Sequence, residues 1–322
     1  MKNNTSLREI GEILANADSV LIFPHISPDG DALGSAAGLY RVLTAAGKKC
    51  AVVLEEEVPE YLSFMPVEGC TRDQSVIDNP DVTVCVDCSE PNRIPGRIQL
   101  FEKGKISVCI DHHINPEGYG DYYYIDENTA AASELIYELI GEMGFPIDKE
   151  TATLLYTGIV TDTGSFQYSN TTASTHRIAA ELMEAGVNVN DVSVAVYQNV
   201  SREQTIAEAL ILEKMEIFAD GKGAISYVTA EELASAGATT DDTEKVIDRL
   251  RDIKGVEIAA FLKPKGGDVK VSLRAKTYGD VQKIAREFGG GGHKKAAGCT
   301  ISGDIAEAAN EVKKLIKESL EN

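Results

Sequence analysis

The chain of 322 residues has no tryptophan and only five histidines. It has no apolar run of the about 18 residues that a membrane-crossing helix needs. Its N-terminal segment, MKNNTSLREIGEILANA, is amphipathic and charged, without the apolar centre of a secretory signal. Six cysteines, at 50, 70, 85, 88, 109 and 299, lack the density and spacing of a disulfide framework. These absences predict a soluble, cytoplasmic protein with reduced thiols and no membrane partner.

Positive charge is also scarce. Lys and Arg number 31 against 51 Asp and Glu, a formal net charge of −20. Proteins that coat long duplex nucleic acid neutralise its phosphates with Lys and Arg, so this balance argues against that class. The deficit is uneven: residues 251–300 hold 11 Lys and Arg against 5 Asp and Glu, a local balance of +6. Such a window predicts a site for a small anion, with a mixed solvated surface as the alternative.

What is present is enough apolar sequence, 43% of the residues, for two cores. Residues 6–16 have the spacing of an amphipathic helix. SVLIFPH (19–25), KKCAVVLE (48–55), VTVCVDC (82–88) and ISVCIDHH (106–113) are short apolar runs that predict buried strands. SPDGD reads as a loop, and residues 32–47, 129–144 and 148–160 read as helices. Strands alternating with helices predict an α/β fold: a doubly wound, mainly parallel sheet with helices on both faces, binding ligands at the carboxyl ends of its strands. After about residue 188 the pattern changes. Residues 202–219 read as a long connecting helix. The rest, with a hairpin turn at KPKGGD and a C-terminal helix over 304–320, reads as a smaller mixed α+β domain. The expected organisation is a catalytic domain over 1–190, a helical linker over 191–215 and a second domain over 216–322, with the active-site cleft between the domains.

Three histidines sit at strand ends beside aspartates. His25 ends the first strand and precedes Asp29 and Asp31; Asp87 ends the third; Asp111, His112 and His113 end the fourth. A carboxylate at the end of an apolar strand is costly to bury unless it is paired or binds a metal. Each motif has a plain structural alternative. HISPDGD could be an Asp-rich turn, and in TGIVTDTGSF either Asp162 or Thr163 could simply cap a helix. The C-x-x-C of CVDC has no second pair, which makes Asp87 a better ligand than Cys85 or Cys88. Together, four Asp and two or three His give a mixed oxygen and nitrogen donor set that suits Mn²⁺ better than Mg²⁺. The number of carboxylates also suits a pair of metals about 3.5–4 Å apart, the usual machinery for displacing phosphoesters. In FGGGGHKKAAG, four glycines offer amides and close approach to an anion, with a flexible linker as the alternative. Arg274, in SLRAK, can grip a phosphate with two donors. His176 reads as structural, and Tyr122–Tyr124 or Phe288 are candidates to stack on a base.

The ordered set HISPDGDALGS, VDCSE, DHH, TGIVTDTGSF and GGGGHKKAAG resembles the DHH family of phosphoesterases. The resemblance is to its two-domain type with a DHH-associated C-terminal domain, within the nanoRNase/3′-phosphoadenosine 5′-phosphate phosphatase (NrnA-like) group. It implies two Mn²⁺ ions, with Mg²⁺ or another divalent ion as alternatives. His25, Asp29 and Asp87 would hold one; Asp31, Asp87, His112 and Asp162 would hold the other. Asp111 would support His112, and His113 would face the scissile phosphate. Arg274, Gly290, Gly291, Gly292 and His293 would bind the substrate's phosphate. The implied activity is degradation of short oligoribonucleotides to 5′-mononucleotides, with 3′-phosphoadenosine 5′-phosphate as a second substrate. Cleavage of c-di-AMP or pApA is the alternative within the class, and a non-catalytic nucleotide sensor the alternative outside it. Pyrophosphatase or exopolyphosphatase activity ranks lower, because those relatives lack the glycine-rich motif. A homodimer is allowed.

Overall fold

The apolar runs of the first half become neighbouring strands in the computed structural model, which describes residues 3–113, 119–292 and 294–321. The chain divides into two units, residues 1–199 and 200–322. The first runs α1 (Leu7–Asn16), β1 (Ser19–Phe23), α2 (Gly30–Ala45), β2 (Lys49–Val53), β3 (Cys70–Thr71), β4 (Val82–Val86), α3 (Ile98–Phe101), β5 (Ile106–Asp111), β6 (Tyr122–Ile125), α4 (Ala132–Met143), α5 (Lys149–Asp162), α6 (Ala173–Glu184) and α7 (Val189–Tyr197).

The six strands form one parallel sheet in the order β3-β2-β1-β4-β5-β6. From β1 the chain proceeds outward to β2 and β3, then returns to place β4 on the other side of β1. The switch point therefore lies between β1 and β4, where open α/β sheets open a crevice at the strand carboxyl ends. The strands are apolar throughout because both faces are buried. Val20 and Ile22 pack into one core with helical residues such as Leu33, Leu135 and Leu155. Leu21 and Phe23, pointing the other way, pack with Ile94, Leu100 and Phe101. The layers are unequal: the second face is covered by the four-residue α3 and irregular chain, not the full helical layer expected.

Small residues set how closely α2 and α5 cross. A Cβ on Gly34 would lie 2.4 Å from the Leu154 carbonyl oxygen, so only glycine permits the approach. Two boundaries differ from expectation. α2 starts at Gly30, because the Asp29 side chain caps it, so half of SPDGD belongs to the helix start. α5 reaches Asp162, which is its last residue and no loop residue.

The second unit runs α8 (Arg202–Glu213), β7 (Glu216–Phe218), β8 (Gly223–Tyr227), α9 (Ala230–Ala236), α10 (Val246–Asp252), β9 (Ile258–Lys265), β10 (Asp268–Ala275), α11 (Val281–Glu287), β11 (Gly291–Gly292), β12 (Ala296–Ser302) and α12 (Ile305–Glu321). Its sheet is mixed, in the order β11-β12-β10-β9-β8-β7, with β8 and β9 parallel and the other pairs antiparallel. The expected hairpin is there: Gly266 and Gly267, both at positive φ, join β9 to β10. The helix expected over 202–219 stops at Glu213, and β7 follows. Ala207 and Ile211 of α8 are buried among Val228, Leu233 and Leu250, in the core of this unit. Phe288 is partly buried and packs against the unit's other core. Among the described residues no helix is long and apolar enough to cross a membrane.

Candidate metal centre

The loop after β1, the N-terminus of α2, the loop after β4, the end of β5 and the end of α5 converge on one place. Three sets of side chains there have donor atoms within 4.8 Å of one another: His25, Asp29 and Asp87; Asp31, His112 and Asp162; and Asp87, Asp111, His112 and His113. Asp87 and His112 each belong to two sets.

Backbone groups orient these side chains. His25 Nδ1 lies 2.7 Å from the Ile26 carbonyl oxygen, which leaves Nε2 to face Asp87 Oδ2 at 3.6 Å and Asp29 Oδ2 at 3.9 Å. Asp29 uses Oδ1 to accept the amides of Asp31 and Ala32, both at 3.0 Å, and so keeps Oδ2 for His25. Asp31 accepts the first amides of α4, from Ala132 at 2.6 Å and Ser133 at 2.9 Å. It thereby caps a helix whose own N-cap residue, Ala131, has no side chain to do so. His112 Nδ1 lies 3.2 Å from the Thr129 carbonyl oxygen, and its Nε2 faces Asp87, Asp162 and Asp31 at 3.4, 3.6 and 3.7 Å. Asp111 Oδ1 accepts the amides of His112 and His113 and faces His113 Nδ1 at 2.8 Å, closing the turn after β5 on itself.

Asp87 is held in the left-handed region, φ +56°, with its amide donating to the Ile110 carbonyl of the neighbouring strand. Aspartate tolerates this region better than most residues, and such strain concentrates at functional sites. The Cys85 thiol belongs to the core beneath, 2.6 Å from the Tyr119 hydroxyl, and takes no part in these sets.

The electrostatics are those of an anionic nest filled by protons. Burial pushes Asp87 up, yet the imidazoles of His112 and His113 overcome it and hold the carboxyl far below the usual range. Burial, with the neighbouring charges of Asp87 and Asp162, pushes Asp31 up, against the pull of the α4 amides toward the ionised form. Burial raises Asp162 to about 7, despite the opposing charge of His112. Burial disfavours a charged His112, but Asp87, Asp162 and Asp31 raise it to about 10. His113 is likewise raised against burial, to about 12, by Asp111 and Asp87. In addition, Asp87 Oδ1, Asp111 Oδ2 and His112 Nε2 are buried without a hydrogen bond to satisfy them. Orphaned donor atoms amid converging carboxylates and imidazoles fit divalent cations.

All eight first-unit residues expected to hold metal or face the phosphate meet here. The anion-binding candidates lie in the second unit. Arg274 sits on β10, directly across from Ala296 on β12, and β11 pairs with β12 through Gly291 and Gly292. Arginine and glycine run are therefore in one sheet, two strands apart. The glycines have a further reason to be there. A Cβ on Gly290 would lie 2.3 Å from the Gly298 carbonyl oxygen, and one on Gly292 2.6 Å from the Ala296 carbonyl oxygen. Close strand packing thus requires them independently of any anion. His293 lies outside the described residues. Much of the positive window is internally paired: Arg274 and Arg251 share Asp248, and Lys263 and Lys270 share Glu244. His176 stacks on Phe166, ring centres 5.0 Å apart. Sequence reasoning missed Thr129 and Ser133, which act through backbone groups, and Asn170, whose side-chain amide meets two backbone carbonyls; none carries a spacing signal.

Residues 19–159 match the DHH family, N-terminal domain, and residues 220–322 match the DHHA1 domain. The bifunctional oligoribonuclease and PAP phosphatase NrnA of Thermus thermophilus is 33% identical over 98% of this chain and 94% of its own. The protein of the same name in Bacillus subtilis is 28% identical over 88% of this chain and 90% of its own. The crystal structure of an exopolyphosphatase-related protein from Bacteroides fragilis superposes with a TM-score of 0.92 and is 30% identical, covering 97% of this chain and 95% of that one.

Proposed function

The chain belongs to the DHH family and is a phosphoesterase, and on that premise we propose that it hydrolyses short oligoribonucleotides to 5′-mononucleotides and removes a phosphate from 3′-phosphoadenosine 5′-phosphate. The observation that carries this reading is the sharing of Asp87 and His112 among overlapping donor sets, the pattern expected where two cations share a carboxylate. His25, Asp29 and Asp87 would hold one ion; Asp31, Asp87, His112 and Asp162 would hold the other. The mixture of imidazole and carboxylate favours Mn²⁺ over Mg²⁺. Bound there, the pair supplies a water of lowered pKa and neutralises charge that develops on the phosphoryl oxygens.

The protein's own groups do the rest. Asp111 orients His113 through Nδ1, which lies 2.8 Å from Asp111 Oδ1. His113 then donates a proton from Nε2 to the phosphoryl group or to the leaving oxygen. Asp111 also fixes the turn that carries His112. Arg274, with the amides of Gly290–Gly292 and with His293, grips a second, non-scissile phosphate, which selects short substrates carrying a terminal phosphate.

The test is a comparison of kcat/KM in Mn²⁺ across RNA two- to ten-mers, pApA, 3′-phosphoadenosine 5′-phosphate, c-di-AMP and polyphosphate. The reading expects the shortest RNAs to lead. A lead for c-di-AMP or polyphosphate overturns the substrate assignment. Absence of turnover on every substrate overturns the enzymatic reading in favour of a nucleotide sensor.

A further inference from the structure

We infer that Asn170 is a positioning residue for one of the two cations, clasping the backbone that holds Asp31, His112 and Asp162; the inference rests on the two-ion reading above. Residues 129–133 do two jobs. The Thr129 carbonyl receives His112 Nδ1, and the Ala132 and Ser133 amides receive the Asp31 carboxylate. Within that segment, the Ala130 carbonyl accepts a hydrogen bond of 3.0 Å from Asn170 Nδ2. The same nitrogen donates to the carbonyl of Asp162 itself at 3.1 Å. One side-chain amide thus joins the third member of the donor set Asp31, His112 and Asp162 to the segment that orients the other two.

The chain between Asp162 and Asn170 is shaped to allow this. Gly164, Ser165 and Phe166 all have positive φ, a left-handed turn that is strained at its two non-glycine residues. The turn is held by the Ser165 amide donating to the Val160 carbonyl, the Phe166 amide donating to Thr163 Oγ1, and the stacking of Phe166 on His176. It folds the chain back so that a residue eight positions on reaches the Asp162 carbonyl.

The chemistry requires an amide. Two carbonyl acceptors call for two N–H groups on one nitrogen, which asparagine has and aspartate, of the same shape, lacks. Asn170 Oδ1 is buried and takes no part in the clasp, which uses the nitrogen alone. The other donor set is held separately: His25 by the Ile26 carbonyl and Asp29 by the α2 amides. Loss of Asn170 therefore acts on one ion and spares the other.

Calorimetric Mn²⁺ titration of the full chain tests this with Asn170→Asp and Asn170→Ala, alongside thermal melts without metal and the Mn²⁺ dependence of hydrolysis. Wild type is expected to bind two ions. Both variants are expected to weaken one ion by about 10–100-fold, as partners of metal ligands typically do. The other ion should stay within about threefold, and kcat should recover at high Mn²⁺. Two ions bound by both variants as in wild type overturns the clasp. Equal weakening of both ions, or a melt without metal that collapses in both variants, also overturns it by showing a general structural role. A wild type that binds fewer than two ions overturns the two-ion reading itself.

Discussion

His112 Nε2 and Asp87 Oδ1 face each other 3.4 Å apart, both buried and neither satisfied by a hydrogen bond. The two residues come from neighbouring strands, β5 and β4, each at its carboxyl end. A ladder of parallel strands thus sets their spacing, and the left-handed backbone at Asp87 turns that carboxylate toward both His25 and His112. Asp87 is the member shared by the two proposed ligand sets, so damage to it should be felt by both.

Asp87→Asn separates charge from shape. Asparagine tolerates the left-handed backbone and is isosteric, so the strain that complicates an alanine at φ +56° does not arise. The variant should fold, lose both high-affinity Mn²⁺ sites and fall in kcat/KM by at least the roughly 100-fold seen when mere partners of ligands are lost. Circular dichroism, calorimetry and steady-state kinetics check the three parts. Near wild-type hydrolysis would remove Asp87 from the chemistry.

Protons and cations compete for this site, which fixes a pH dependence. Without metal, His112 is raised from 6.5 to about 10 and Asp162 from 3.8 to about 7. Both must be deprotonated to act as ligands. Mn²⁺ affinity should therefore rise by about tenfold or more per pH unit between pH 7 and 10, as His112 releases its proton, and more steeply just below pH 7, where Asp162 releases one as well. Stability without metal runs the other way. The gain from charged His112 is whole below pH 6.5 and lost as pH climbs through 10. Neutral Asp162 likewise favours the fold below pH 3.8, and that advantage is lost as pH rises through 7. Titration in buffers of different ionisation enthalpy, together with melts from pH 6 to 10, measures both. A flat affinity across that range contradicts the exchange.

Gly158 probes how tightly the cation site is wedged between helices. A Cβ there would lie 2.0 Å from Ser133 Oγ and 2.7 Å from Asp31 Oδ1. Ser133 can rotate, but Asp31 is pinned by two amides. Gly158→Ala should cost about 1–3 kcal/mol of stability, as overpacking does, and weaken Mn²⁺ binding as well. Urea unfolding and calorimetry report the two effects. A stability loss with unchanged Mn²⁺ affinity would show that Asp31 is not a ligand.

The cluster of aspartates and histidines was legible because burial makes charge conspicuous. Asp87 and Asp111 end apolar strands, and nothing but pairing or a metal rationalises them there. What lay beyond reach was the support. Thr129 and Ala130 act through carbonyls and Ala132 through an amide, groups every residue has. Asn170 in SNTT looks like any polar loop residue until its two carbonyl partners are seen. The packing role of the glycine run was hidden for a similar reason. Its demand for close approach comes from strand β12 at Gly290 and Gly292, a contact between segments that local sequence does not display. The end of the helix at Glu213 was missed because β7 is a three-residue edge strand, too short to impose a period of its own.

Arg274 is the proposed phosphate anchor, and its resting partner makes a specific prediction. Its Nε lies 3.5 Å from Asp248 Oδ1, an oxygen also 3.1 Å from Arg251 Nη1. An incoming phosphate must compete with Asp248 for the guanidinium, while Arg251 remains to neutralise the carboxylate. Binding should therefore suffer more than chemistry when Arg274 is changed. Arg274→Ala is expected to raise KM for RNA dimers by about 10–100-fold with kcat changed by less than about threefold, the loss of a charge-assisted, two-donor contact. Arg274→Lys should recover only part of it, because a point charge cannot reproduce the planar fork. The discriminating control is a dimer without its terminal phosphate, on which wild type and Arg274→Ala should converge. If the variant still lowers kcat/KM on that dimer by the same factor, Arg274 does not read the terminal phosphate. The anchor role then passes to the glycine amides.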